Sequence, residues 1–302
     1  MRVTRKAKKL TLSGGLKSFL GYLEGTQKSK NTIKNYKLDI QCFLDFISSQ
    51  YPGKNIEVSH ISRTDIEEFR KELQKQGLMT NTRRRKLLTV TQFLGYLAKR
   101  KKVSPVLSQK VPAPHKVEKV PFTLSTEALI HAIQALPQGV LLEERNRLIL
   151  WVLAETGCLV SELSPLRYEQ FQTSSKKTPS VEFFGKFKRT VPISLELYEA
   201  VLSFKKKEGS HPTWIFLGFN KYGNLGHPIT DRGVELLVKS YAKKLGSEEM
   251  TPRTLRHSAV VFWYRKGLQI PEIQARLGLK TTYAFRAYEP LFKSTSETMS
   301  KS

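Results

Sequence analysis

The sequence predicts a mainly α-helical protein with a small β component, divided into two domains. Through most of the chain, apolar residues recur with a period near 3.6, the pattern of amphipathic helices. Two short runs rich in β-branched and aromatic residues, 181–184 and 190–193, have the composition of strands. A stretch with four prolines and no periodicity, 104–121, lies between the two halves. We therefore expect an α-helical N-terminal domain and a second, mixed α/β domain.

The length of 302 residues is enough for two hydrophobic cores. We predict a basic N-terminal arm over 1–15, a helical domain over 16–103, a linker over 104–121 and a second domain over 122–302. The arm ends in glycine, and the helical periodicity begins only at Leu16.

Periodicity and capping residues predict the order of the helices in the first domain. A periodic segment covers 31–50, and a capping box at Ser62–Asp65 predicts the start of the next helix. Gly77 suits the end of that helix, and the last helix is predicted over 80–101.

The second domain is predicted to start with helices over 125–136 and 145–155. The two strand-like runs then flank a basic turn, 185–189, which predicts a β-hairpin. Residues 214–217 read as a further strand or as a buried extended stretch. The remaining helices are predicted over 230–245, 251–266, 270–277 and 281–288.

The charge of the chain indicates its partner. There are 51 Lys and Arg against 26 Asp and Glu, a formal net charge of +25. Because basic groups displace counterions from phosphates, this surplus favours a nucleic-acid partner over a merely soluble basic protein.

One basic run is concentrated enough to be a contact candidate. Arg83, Arg84, Arg85 and Lys86 lie in the first turns of the helix over 80–101, where positive charge opposes the helix dipole. A helix start that faces phosphate would require such a run, whereas a solvated face would not. We therefore predict DNA contact here, with a solvated face as the alternative.

The sequence gives no support to a metalloprotein, a disulfide-linked protein or a membrane protein. Cys42 and Cys158 have no metal-site or disulfide spacing, and no apolar run approaches a membrane span. The six histidines include no close pair at metal spacing. We expect a cytoplasmic protein with no metal or other cofactor and no membrane partner.

Three segments of the second half are the candidates for a catalytic site. They are Ala154–Leu163 with Thr156-Gly157 inside it, Thr251–Ser258 with Leu255-Arg256-His257, and Leu277-Gly278 leading to Tyr288. In this order and spacing they resemble the tyrosine recombinases of the Xer and phage-integrase type. The resemblance covers about residues 16–290, and the first half is similar to that family's SAM-like core-binding domain.

The resemblance implies a reaction without metal in which a tyrosine attacks a DNA phosphodiester and forms a 3′-phosphotyrosyl link. The matching nucleophile is Tyr288, and the family's second arginine matches Arg256. The hairpin lysine, a general acid for the 5′ oxygen, matches Lys186, with Lys188 as the alternative. Lys188 and Arg189 are also candidates for DNA contact. Cations are needed because a phenol ionises near pH 10 and the transition state gathers negative charge on phosphate oxygens.

Three of the six family positions are replaced. Leu159 stands where the family has its first arginine, Arg253 where it has a histidine, and Leu279 where it has histidine or tryptophan. Arg253 can grip phosphate, but it cannot exchange a proton at neutral pH. We expect Leu159 to pack in the core and His257, one residue from Arg256, to be a supporting histidine in the core and not a replacement base.

Two functions follow from this mixture. The first is site-specific DNA recombination or integration by tyrosine-mediated cleavage and rejoining, with catalysis weakened by the replacements. The second is a catalytically inactive DNA-binding accessory or regulator derived from such an enzyme. Expected partners are double-stranded DNA and a homo- or hetero-tetramer with a related recombinase. A general nucleic-acid-binding protein unrelated to recombination is a third interpretation, and duplex preference discriminates against it.

Overall fold

The computed structural model describes residues 10–52, 56–109, 112–173, 178–184, 188–209, 213–219 and 225–293. These residues form eleven α-helices and five short strands, which confirms the mainly α class with a small β component. The chain divides into two compact units, Met1–Glu118 and Lys119–Ser302. Among the helices described, none is long and apolar enough to cross a membrane.

The first unit is a helical domain around one hydrophobic core. Its helices are α1 (Leu12–Gly25), α2 (Lys30–Gln50), α3 (Arg63–Lys75) and α4 (Thr80–Lys99), with 3-10 turns at Val58–His60 and Pro105–Ser108. Each α-helix contributes one fully buried phenylalanine, namely Phe19, Phe43, Phe69 and Phe93. Each ring contributes to the stability of the domain, because deleting a buried aromatic side chain typically destabilises a domain by about 3–5 kcal/mol.

Helix α1 begins four residues before its predicted start at Leu16. The hydroxyl of Thr11 caps it by accepting a hydrogen bond from the Gly14 backbone N–H at 3.1 Å. Gly15 lies inside this helix, where a Cβ would come within 2.9 Å of Val58 Cγ1, so a larger side chain would force the neighbour to shift. The glycines at the end of the predicted basic arm therefore lie within the helix, where Gly15 allows close packing against Val58.

Helix α3 begins as predicted. Ser62 N–H donates to Asp65 Oδ2 at 2.7 Å, and Asp65 N–H donates to Ser62 Oγ at 3.2 Å, which confirms the capping box. The helix ends at Lys75, two residues before Gly77.

The second unit surrounds a larger core. Its helices are α5 (Thr126–Gln134), α6 (Leu141–Thr156), α7 (Val160–Leu163), α8 (Leu195–Glu208), α9 (Asp231–Ala242), α10 (Pro252–Arg265) and α11 (Ile270–Leu277). Its strands are β1 (Phe171–Thr173), β2 (Pro179–Phe184), β3 (Lys188–Pro192), β4 (Leu217–Phe219) and β5 (Leu225–Pro228). Two 3-10 helices, Tyr168–Gln170 and Thr282–Tyr288, complete the described part of this unit.

The predicted hairpin is present as antiparallel strands β2 and β3, with Val181 opposite Val191. Strand β1, which the sequence did not reveal, pairs with β2 and has only three residues. Within 214–217, Ile215 and Phe216 are buried, and pairing in a strand begins only at Leu217. The last predicted helix, 281–288, is a 3-10 helix over Thr282–Tyr288.

Helix α6 passes through the centre of the second unit and ends at a sharp turn. Gly157 ends it with φ of +56°, a conformation that favours glycine. A Cβ at this position would also come within 3.2 Å of Ala259 Cβ on α10. The close approach brings the carbonyl of Gly157 beside α10, which carries the candidate site.

Candidate active site

Helix α10 presents three basic side chains near its N-terminal end. Thr251 caps the helix by accepting a hydrogen bond from Thr254 N–H at 3.0 Å. Arg253, Arg256 and His257 follow at spacings of three and four residues, which places Arg256 and His257 both beside Arg253 on the helix surface.

Arg256 connects the three segments that the sequence singled out. Its Nη1 donates to the carbonyl oxygen of Gly157 at 2.6 Å, and its Nη2 donates to that of Leu277 at 3.0 Å. Burial lowers the pKa of the guanidinium from 12.5, and the charge of Glu162 opposes that shift. Because two neutral carbonyls hold it, the guanidinium is oriented while its charge stays available to an anion.

Tyr288 lies at the end of the 3-10 helix and is buried, with 7% of its surface exposed. Its ring stacks on Phe292 with centroids 5.8 Å apart and meets the ring of His257 edge-on. The Tyr288 hydroxyl is in hydrogen-bond contact with His257 Nδ1. Burial raises the pKa of Tyr288 to about 12, against the opposing charges of Arg256 and Arg253, so the phenol is protonated at neutral pH.

His257 is half-buried, and its side chain contacts the Tyr288 hydroxyl directly. Arg253 Nε donates to the other ring nitrogen, His257 Nε2, at 3.2 Å. Burial, reinforced by the charges of Arg253 and Arg256, lowers the pKa of His257 to about 4, so its ring is neutral at pH 7. The spacing of four residues from Arg253 to His257 was the sequence signal that could have revealed the contact.

The depressed pKa of His257 predicts acid destabilisation. Below pH 6.5 the unfolded chain protonates this imidazole, whereas the folded chain does so only near pH 4, so the unfolded state binds more protons in that window. We expect His257 alone to lower the free energy of unfolding by up to about 3 kcal/mol between pH 6.5 and pH 4. Urea denaturation across this range should therefore give a flatter pH dependence for His257→Asn than for the wild type. His131→Asn, which removes an exposed imidazole on α5, is the control, and parallel curves for wild type and His257→Asn would contradict the prediction.

Leu159 does not pack in the core, as the sequence had led us to expect, but is 46% exposed. It precedes helix α7, and its N–H donates to Glu162 Oε2 at 2.7 Å. Leu279 is partly buried against the core of the second unit. Leu159, which the resemblance matches to the family's first arginine, is therefore an uncharged side chain that faces solvent.

Arg189 lies inside the second unit and does not present its charge to solvent. Side-chain exposures are 5% for Arg189 and 8% for Glu162, with which it forms a two-point ion pair. Its Nε also donates to the carbonyl oxygen of Arg276 at 2.6 Å. In this conformation Arg189 links strand β3 to α7 and α11. No contact in the structure supports its predicted role in DNA binding. Strand alternation was the missed signal, because Arg189 shares the buried face of β3 with Val191.

The β2–β3 hairpin segment contains two candidate lysines. Lys186 lies outside the described residues. Lys188 is 67% exposed and forms an ion pair with Glu182 at 2.8 Å across the hairpin. Its ammonium also lies 5.4 Å from the centre of the Phe184 ring.

In the first unit, the basic run of α4 makes several internal contacts. Arg85 and Lys86 both reach the buried carboxylate of Asp39 on α2, with Lys86 Nζ at 3.7 Å from Oδ1. Arg84 donates to the carbonyl oxygen of Pro114 at 2.9 Å, and Arg83 to the hydroxyl of Thr80 at 3.3 Å. Four consecutive helical residues point in directions spread over about 300°, so they cannot all face one DNA surface.

The arrangement can hold an anion beside a tyrosine. Arg256 and Arg253 provide fixed positive charge next to a buried phenol whose oxygen is already hydrogen-bonded. With a helical first unit and a mixed second unit, this fold and site define a protein of the tyrosine-recombinase type.

Comparison with known proteins agrees with this class. The profile of the phage integrase family matches residues 125–293, and that of the phage integrase N-terminal SAM-like domain matches residues 16–101. The chain therefore belongs to the phage integrase family.

Individual relatives are similar over nearly their whole length. A tyrosine recombinase of Pseudothermotoga lettingae is 30% identical over 89% of this chain and 92% of its own. Tyrosine recombinase XerC of Herpetosiphon aurantiacus is 28% identical over 87% of this chain and 86% of its own. The fold is similar to that of the XerH site-specific recombinase in a post-cleavage complex with a palindromic difH substrate. The TM-score is 0.71 at 18% identity, over 96% of this chain and 84% of that one.

Proposed function

We propose that this protein carries out site-specific DNA recombination, with Tyr288 as the nucleophile that cleaves duplex DNA. The observation that carries the proposal is the contact between the buried Tyr288 hydroxyl and His257, beside Arg253 and Arg256. Membership of the phage integrase family and likeness to Xer recombinases support the same reaction.

The cleavage step balances without a metal. Tyr288 Oη forms a bond to phosphorus while the bond from phosphorus to the 5′ oxygen breaks. The leaving oxygen takes a proton from the ammonium of Lys186, or of Lys188 as the alternative, and the phenol releases its proton to solvent. Rejoining is the reverse, in which a 5′ hydroxyl attacks the phosphotyrosyl bond and Tyr288 leaves.

Arg256 and Arg253 hold the phosphate in this proposal. Arg256 is anchored by two carbonyls, and the structure describes no ion pair between it and a carboxylate. Arg253 is exposed, and the structure describes no partner for its terminal nitrogens, since only its Nε bonds to His257. Both guanidiniums can therefore stabilise the negative charge that gathers on the non-bridging oxygens.

The proposed DNA-binding surface includes the start of α4, where those of Arg83, Arg84, Arg85 and Lys86 that share one helix face contact phosphate. Of these, Arg85 and Lys86 must exchange contacts with Asp39 for contacts with DNA. The active assembly is proposed to be a tetramer on DNA, formed with copies of this chain or with a related recombinase.

A second function, that of a catalytically inactive accessory, is favoured by the exposed Leu159 in place of an arginine. In that case the protein binds duplex DNA and leaves cleavage to a fully equipped relative. Adding that relative would then restore strand exchange, with the relative's own tyrosine as the nucleophile.

The deciding experiment traps the covalent intermediate. Purified protein is incubated with a library of nicked genomic-fragment duplexes, and protein–DNA adducts that survive denaturant are measured. We expect an adduct for the wild type and none for Tyr288→Phe, because phenylalanine lacks the attacking oxygen. Tyr283→Phe is the matched control, since Tyr283 lies in the same 3-10 helix but is largely exposed. Duplex binding without any wild-type adduct would favour the accessory function.

A further inference from the structure

We propose that Arg253 acts as a positioning residue that fixes His257 in the tautomer with its proton on Nδ1, so that His257 donates a hydrogen bond to Tyr288 Oη. His257 then stabilises negative charge on the nucleophile and does not remove its proton. The catalytic consequence rests on the proposed function of Tyr288, whereas the tautomer itself does not.

The geometry of the three side chains leads to this assignment. A guanidinium has only donors, so the 3.2 Å bond from Arg253 Nε requires a lone pair on His257 Nε2. A neutral imidazole with an unprotonated Nε2 carries its single proton on Nδ1. That nitrogen is the one in contact with the Tyr288 hydroxyl, so Oη is the acceptor.

The charges around the ring exclude the alternative of an imidazolium. Arg253 and Arg256 from α10 and the phenol of Tyr288 are the charged or titratable groups that act on His257 among the described residues. Two are permanent cations and none is an anion. A protonated ring would also turn an N–H towards the N–H of Arg253.

The assignment changes the role of His257 in cleavage. Because Oη accepts from Nδ1, the phenol proton points away from His257 and leaves to solvent as the bond to phosphorus forms. During rejoining the tyrosine departs as a phenolate, and the same Nδ1–H stabilises it. A donor aimed at an oxygen that gains charge acts mainly in the transition state.

The tautomer is measurable without DNA or activity. In the full-length protein at pH 7, long-range ¹H–¹⁵N correlation distinguishes protonated from unprotonated ring nitrogens, with His257 assigned by its loss in His257→Asn. We expect unprotonated Nε2 in the wild type, the same state in Arg253→Lys, which keeps a donor, and a mixture in Arg253→Met. A protonated Nε2 in the wild type would overturn the proposal, whatever the outcome of the cleavage assay.

Two substitutions of His257 separate the donor role from a base role. Asparagine places an N–H near the position of Nδ1 but cannot accept the proton, whereas leucine offers neither. We expect His257→Leu to form adduct about 100-fold more slowly than the wild type and His257→Asn to stay within about tenfold of it. Equal losses in the two variants would contradict the donor role. A wild type that forms no adduct would instead refute the proposed function and leave the tautomer result standing.

Discussion

The Arg189→Met variant is expected to lose about 3–5 kcal/mol of unfolding free energy, the usual effect of breaking a buried ion pair by removing one partner. Methionine fills much of the space of the arginine stem, but it leaves the carboxylate of Glu162 in a site where only 8% of that side chain is exposed. The hydrogen bond to the carbonyl oxygen of Arg276 is lost at the same time. Urea denaturation at pH 7 measures the effect.

The neighbouring residue provides the control for this experiment. Lys188 also forms an ion pair on strand β3, but 67% of its side chain is exposed. Lys188→Met should therefore change the unfolding free energy by no more than about 1 kcal/mol. The double variant Arg189→Met, Glu162→Gln should recover part of the loss, because it removes the unpaired charge. A loss below about 1 kcal/mol in Arg189→Met would mean that the ion pair is not buried in solution.

Leu159→Arg is expected to accelerate formation of the covalent adduct by about 100-fold. In other enzymes, one donor aimed at the charge that develops in a transition state contributes about 2.7–4 kcal/mol, or about 100- to 1000-fold in rate. Residue 159 is exposed and lies two residues after Gly157, whose carbonyl anchors Arg256. A guanidinium introduced there begins beside the turn whose Gly157 carbonyl anchors Arg256, and it needs no burial.

Single-turnover cleavage of a nicked substrate measures the acceleration. Leu159→Gln is the matched control, because it adds a polar side chain of moderate length without charge. If the arginine variant cleaves no faster than the glutamine variant, the phosphate does not bind at this turn. Combining Leu159→Arg with Tyr288→Phe should abolish the adduct, which would link any gain to the same nucleophile.

Much of the fold could be predicted because its signals are local. The periodicity of α2 and α4, the capping box at Ser62 and the two strands of the hairpin depend on neighbouring residues, and all were found. The three-residue strand β1 was missed because so short a run carries no periodicity and forms only against β2.

The site was predicted less completely, because its contacts join distant parts of the chain. Arg189 was grouped with Lys188 by position in the sequence, although alternate residues of a strand face opposite sides. His257 was judged against Arg256, its immediate neighbour, when the informative neighbour was Arg253 one turn away. Nothing local in the sequence indicated that Leu159 faces solvent.

The two carbonyls that hold Arg256 also affect how the protein binds an anion. A free arginine side chain samples many rotamers, and immobilising it removes about 2 kcal/mol of conformational freedom. In this protein that ordering takes place on folding, when Gly157 and Leu277 capture the guanidinium. In the proposed function, DNA therefore meets a cation that is already oriented, and the entropic cost of ordering it falls on the stability of the second unit instead of on affinity.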